Sequence, residues 1–123
     1  MATPDQADGI TVNVEVSPRF TKRMKLLAKR YRNIQKDIRP VIQEITKGIF
    51  KGSQIPGSGY VVYKVRVTNS DIQKGKSAGY RLIYQIQSAT NVLLLSIYSK
   101  SDADDISTLV IRKIIAEYES IEE

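Results

Sequence analysis

Lys64 and Arg66 stand two residues apart in a stretch of alternating character, Tyr60–Thr68. Arg81 occupies a second such stretch, Tyr80–Gln87, and Tyr98 and Lys100 close a third, Val92–Ser99 with the residue after it. Residues two apart on a strand share a face. The apolar sets Val61, Tyr63, Val65 and Val67, then Leu82, Tyr84 and Ile86, then Leu93, Leu95 and Ile97 are therefore expected on one face, over a core. The other face is expected to gather Lys64, Arg66, Arg81, Ser96, Tyr98 and Lys100. Like charges opposite one another destabilise paired strands, so such a cluster implies an anion that offsets the repulsion. Arginine suits phosphate, because its planar fork makes two charge-assisted hydrogen bonds. The plainer alternative is that these cations only guard sheet edges against pairing. Lys74 and Lys76, in the polar connection Asn69–Gly79, add two cations. Lys74-Gly75-Lys76-Ser77 lacks the first glycine and the spacing of a P-loop.

The chain has no histidine and no cysteine. The commonest metal ligand and the one side chain that ordinarily titrates near neutrality are absent, as are thiolate sites and disulfides. No metal and no cofactor is expected. Proton transfer at such a site would fall to Lys, Tyr, Asp or Glu. A lysine crowded by Arg66 and Arg81, or Tyr98 on the same face, could serve.

The elements that must position these residues are legible in the apolar periodicity. Ile10, Val12, Val14 and Val16 alternate with polar residues and predict a strand over Ile10–Val16. Ser17-Pro18 reads as an N-cap followed by a first-turn proline. Phe20, Met24, Leu27, Tyr31 and Ile34 then recur at helical spacing. The other faces of that helix carry Arg19, Lys22, Arg23, Lys25, Lys29, Arg30, Arg32 and Lys36, with no acid among them. A bend near Asn33 and a second helix from about Asp37, with Ile38, Val41, Ile42, Ile45 and Ile49 on one side and Pro40 in its first turn, complete a helical hairpin. Residues 52–59 read as a loop. After the three strands, the last of them apolar enough to be covered on both faces, Ser101-Asp102-Ala103-Asp104 reads as a capping box opening a final helix. The expected fold is α+β: an N-terminal strand, a helical hairpin, a three-stranded antiparallel meander and a C-terminal helix, in two layers. The first strand must pair somewhere in the sheet, since its backbone groups need partners.

At 123 residues the chain is one domain in size, with residues 1–9 expected as a flexible tail and 10–123 as the domain. Net charge is +6, unevenly spread. Residues 18–100 hold 17 Lys and Arg against three acids, the first 17 hold three acids and no base, and the last 23 hold two bases and seven acids. A cationic body with acidic ends attracts polyanions, nucleic acid foremost. No apolar run approaches the ~18 residues that span a bilayer, and the polar start is unlike a signal peptide. A cytoplasmic protein without a membrane partner is expected.

Three separated segments, Tyr63-Lys64-Val65-Arg66, Gly75-Lys76-Ser77-Ala78-Gly79-Tyr80-Arg81-Leu82-Ile83-Tyr84 and Leu93-Leu94-Leu95-Ser96-Ile97-Tyr98-Ser99-Lys100, occur in an order that resembles the RelE family of bacterial toxins, most closely its HigB branch. The resemblance spans residues 10–120 and implies the RelE-like sandwich. It also implies a toxin of a toxin–antitoxin pair that cuts messenger RNA on the ribosome, with an antitoxin protein, the ribosome and mRNA as partners. By resemblance Arg81, Arg66 and Lys64 fall on catalytic or phosphate-holding positions and Lys100 on the family's second basic position. The catalytic role of the family's tyrosine is vacant or moves to Tyr98, and Lys74 and Lys76 are read from the residues themselves as further cations for substrate. Arg23, Lys29 and Arg30 of the cationic helix dock on RNA, although solubility alone also explains such a helix. Two departures from the family pattern stand out: Ile106 falls where RelE has a catalytic tyrosine in the last helix, and Ala78 where many HigB-like chains have glycine. The acidic, apolar last helix is expected beside the cationic face, as the element an antitoxin masks or displaces. A ParE-like inhibitor of DNA gyrase and a catalytically silent nucleic-acid-binding module are the alternative readings.

Overall fold

The computed structural model of the protein describes residues 11–72, 79–103 and 105–122; the expected tail at residues 1–9, Lys74 and Lys76 lie outside the described residues. In chain order the elements are β1 (Asn13–Val16), α1 (Pro18–Arg30), α2 (Ile34–Thr46), β2 (Ser53–Gln54), β3 (Val62–Val67), β4 (Tyr80–Ser88), β5 (Asn91–Ser99) and α3 (Thr108–Glu122). The strands form one mixed sheet in the order β1-β5-β4-β3-β2. β1 runs parallel to β5, with Val14 opposite Val92, and the other pairings are antiparallel. No helix among the described residues is long and apolar enough to cross a membrane.

The α+β class and the β3–β4–β5 meander agree with expectation; four features do not. A short strand, β2, lies within the segment read as loop and pairs Ser53 with Lys64 and Gln54 with Tyr63. Gly52, at φ +110°, makes that approach possible, because a Cβ there would collide with the Lys64 carbonyl. α2 begins at Ile34 rather than near Asp37, so Pro40 is an interior residue of the helix and not part of its first turn. Pro40 and Lys36 are both exposed, and water can take the carbonyl that proline leaves without its N–H. α3 begins at Thr108, after the acidic run. Its first turn is capped by Ser107, whose Oγ accepts a hydrogen bond from the Val110 N–H at 3.2 Å.

The fourth difference is a third layer. Phe20, Leu27, Ile34, Ile38 and Ile45 of the helical hairpin pack on Val65, Val67, Tyr80, Leu82, Tyr84, Val92, Leu94 and Ile97. On the opposite face Ile111, Ile114, Ile115 and Tyr118 of α3 pack on Val62, Ile83, Leu93, Leu95 and Tyr98. Leu93 and Leu95 thus face α3, not the hairpin. A register shift is the cause: Ile83 pairs with Ser96 but Tyr84 with Leu94, so β5 holds one extra residue there. The bulge reverses the facing of β5 before it while leaving Ile97 and Tyr98 as expected. Val61, just before β3, is exposed instead of core, and so is Ile49, beyond the end of α2.

Beyond Val16, α1 takes over from β1 as the neighbour of β5. The Ser17 N–H bonds the Leu94 carbonyl at 3.0 Å. Ser17 Oγ donates to the Leu95 carbonyl at 2.8 Å while accepting from the Phe20 N–H at 3.0 Å. Arg23 Nε reaches the Ile97 carbonyl at 3.2 Å. One serine thus caps the helix and satisfies the strand edge, and β5 is buried almost along its whole length.

Candidate functional site

On the α3 face, β3, β4 and β5 set Arg66, Arg81 and Tyr98 directly opposite one another in a single cross-strand row. The next row inward is Lys64, Ile83 and Ser96. Lys100 lies two residues past Tyr98, and its N–H bonds the Gly79 carbonyl at 2.9 Å, which holds the strand ends together. Gly79 is glycine for a steric reason: a Cβ there would collide with the Val67 carbonyl. That close approach brings β4 into register with β3, so that Arg81 meets Arg66.

Burial deepens across the row. Arg66 is exposed, Arg81 is 8% exposed and Tyr98 is 5% exposed. Among the described residues the Arg81 side chain makes one hydrogen bond, from Nη1 to the Tyr80 carbonyl at 3.2 Å, and has no carboxylate partner. A guanidinium nine-tenths buried beside a second arginine, with no carboxylate partner among the described residues, is costly in a folded chain. β4 is the central strand of the five, so Arg81 does not guard an edge. The register thus sets two residues with planar guanidinium forks, a group suited to phosphate, in line with a phenol-bearing residue, with Lys100 just past the strand end.

The other expected cations divide. Lys64 contacts Asp105 at 3.4 Å. Arg30 contacts Asp102 at 2.7 Å, donates to the Tyr31 hydroxyl at 2.8 Å and lies 4.9 Å from the centre of the Tyr31 ring. The Asp102 hydrogen bond first, and the Tyr31 phenol after it, raise the Arg30 guanidinium above its ordinary value. Arg23 is committed to the β5 edge, and Lys29 is exposed on α1. Arg19 and Lys22 face Lys113 across a groove of about 340 Å³ between α1 and α3, which no residue of the row lines. Ile106 lies ahead of α3 and packs with Ala103 against the apolar cluster on this face.

Asp102 and Asp105 were not singled out as site residues from the sequence. Their position in an acidic run before a helix reads as capping, and only the fold brings them to Arg30 and Lys64. Two buried phenols on the hairpin face titrate abnormally for structural reasons. Burial, then the Asp37 and Asp71 carboxylates, pushes Tyr80 up, and its hydroxyl has no hydrogen-bond partner among the described residues. Burial, then Tyr63 and Glu44, pushes Tyr84 up, and its hydroxyl donates to the Lys51 carbonyl at 2.6 Å.

Neither the models of known protein families nor the curated proteins give a match to this chain.

Proposed function

We propose that the protein is a RelE/HigB-type toxin, a ribosome-dependent endoribonuclease that cuts mRNA in the cytoplasm and is restrained by an antitoxin protein. The reading rests on Arg81, a guanidinium nine-tenths buried on the central strand of the sheet, opposite Arg66 and without a carboxylate partner among the described residues. In the proposed reaction the RNA's own 2′-oxygen, on losing its proton, bonds to phosphorus and the bond from phosphorus to the 5′-oxygen breaks. A 2′,3′-cyclic phosphate and a free 5′-hydroxyl result. Arg81 and Arg66 hold the non-bridging oxygens and stabilise the extra negative charge of the five-coordinate phosphorane, commonly the largest catalytic contribution. Lys100 and Tyr98 are the acid–base groups of this scheme, one removing the 2′-proton and the other giving a proton to the departing 5′-oxygen. The exposed cations of α1, Lys29 among them, contribute salt-sensitive affinity for ribosomal phosphates.

Cell-free translation with mapping of mRNA ends tests the reading. Codon-phased cuts are expected, and Arg81→Ala should abolish them while leaving the far-ultraviolet spectrum unchanged. Intact mRNA in the presence of the wild-type chain, or unaltered cutting by the variant, overturns it.

A further inference from the structure

A second cationic site lies apart from the arginine row, in the groove of about 340 Å³ between α1 and α3. The first turn of α1 supplies Pro18, Arg19 and Lys22. From α3 come Val110, Lys113, Ile114 and Glu117, whose spacing puts them on one face of that helix. Arg19, Lys22 and Lys113 are exposed, and among the described residues none of the three has a carboxylate partner, although Glu117 stands one turn beyond Lys113. No acid occupies the first turn of α1, so the positive end of the helix dipole adds to these charges. The rest of the lining is apolar, with Ile114 buried, Val110 partly buried and Pro18 exposed.

Two features select the ligand. Small-molecule pockets occupy ~300–1,000 Å³, so this groove exceeds the needs of an inorganic anion and suits a compact organic one. A phosphate monoester carries a charge of only about −1.5 to −2 at pH 7, whereas a diphosphate carries more and answers three cations better. We propose that the groove binds a nucleoside diphosphate. Arg19, Lys22 and Lys113 take the diphosphate, and Pro18, Val110 and Ile114 meet the apolar face of the base. Glu117 accepts hydrogen bonds from ribose hydroxyls or a base amino group. The site goes beyond the nuclease reading and does not depend on it, since no residue of the row lines the groove.

Isothermal titration calorimetry of the full chain with adenosine diphosphate, at low salt and without magnesium, tests the proposal. One site per chain is expected. Inorganic pyrophosphate and adenosine, which each meet only part of the lining, should bind about tenfold more weakly or worse. Arg19→Met and Lys113→Met should each weaken adenosine diphosphate about tenfold, the loss of one charge-assisted hydrogen bond. Arg112→Met, which removes the same charge from α3 outside the groove, should change it less than about twofold. Arg81→Met should bind as the wild type does. No binding at millimolar nucleotide, or pyrophosphate binding as tight as that of the nucleotide, overturns the proposal. So does an equal loss in Arg112→Met, or a loss in Arg81→Met, which would put the ligand at the row. A single-stranded RNA that needs Lys113 where the nucleotide does not would assign the groove to an RNA backbone instead, and the proposal would fall.

Discussion

Replacing Arg81 by methionine should make the protein more stable and, in the same molecule, inactive. Arg66 and Arg81 are a directly opposed pair. With their charges ~6–7 Å apart and an effective dielectric of ~20–80, the repulsion removed is about 0.6–2.6 kcal/mol. Relief of a nine-tenths-buried guanidinium with no carboxylate partner among the described residues adds to this, since such burial costs several kcal/mol where no partner offsets it. Against the variant stand one hydrogen bond, 3.2 Å long, to the Tyr80 carbonyl, worth about 1.5 kcal/mol, and a change of shape costing under ~1.5 kcal/mol. The balance favours methionine by about 1 kcal/mol, a rise of about 3–6 °C in Tm for a chain of this size. Urea titration read by circular dichroism measures the first half, and mRNA-end mapping the second, where loss of one preorganised donor should cost about 100-fold or more. A variant destabilised by ~2 kcal/mol or more would refute the reasoning. It would show that the fold itself satisfies the guanidinium and that Arg81 is a structural arginine.

Ser17→Ala removes a helix cap and leaves the buried Leu95 carbonyl without the side chain that serves it; the expected loss is about 2–3 kcal/mol in urea midpoint experiments. Tyr84→Phe gives up the bond to Lys51 and should cost about 1 kcal/mol, whereas Tyr80→Phe removes a buried hydroxyl that has no partner among the described residues and should be neutral or gain up to ~1 kcal/mol. Both phenols are raised above their ordinary value of 10.0 in the fold, so their neutral forms are favoured there. Their contribution is fully present below pH 10 and is lost as pH climbs beyond it, up to ~1.4 kcal/mol per phenol per pH unit. The urea midpoint measured from pH 8 to 11.5 should stay level and then fall, and the fall should shrink in the Tyr80→Phe/Tyr84→Phe double variant; an equal fall in that variant would refute the assignment.

Short-range pattern carried much of this architecture. Ser17-Pro18 and the Phe20–Leu27 spacing predict α1 with its cap, and strict alternation places Arg66 and Arg81 on one face, because both signals depend only on neighbouring residues. The failures share a physical origin in contacts between distant parts of the chain. Nothing local to Val14 names β5 as a parallel partner. The β5 bulge is invisible in a continuous apolar run, so Leu93 and Leu95 are assigned to the wrong side. Asp102 and Asp105 satisfy the local rules of a helix start, while Ser107 performs that role and the carboxylates answer to Arg30 and Lys64. The Arg66–Arg81–Tyr98 row was legible because all three residues lie on the same side of the bulge.

The takeover of β5's flank by α1 has a consequence for what can join this protein. With Ser17 and Arg23 already bonded to its carbonyls, that margin offers little to an incoming chain. At the other margin β2 pairs with only two residues of β3, and among the described residues no strand lies outside Val65–Val67. An extra strand recruited beside Val65–Val67 would therefore arrive on the side where Arg66 sits, and a polypeptide docking there would shadow the arginine row as it docked.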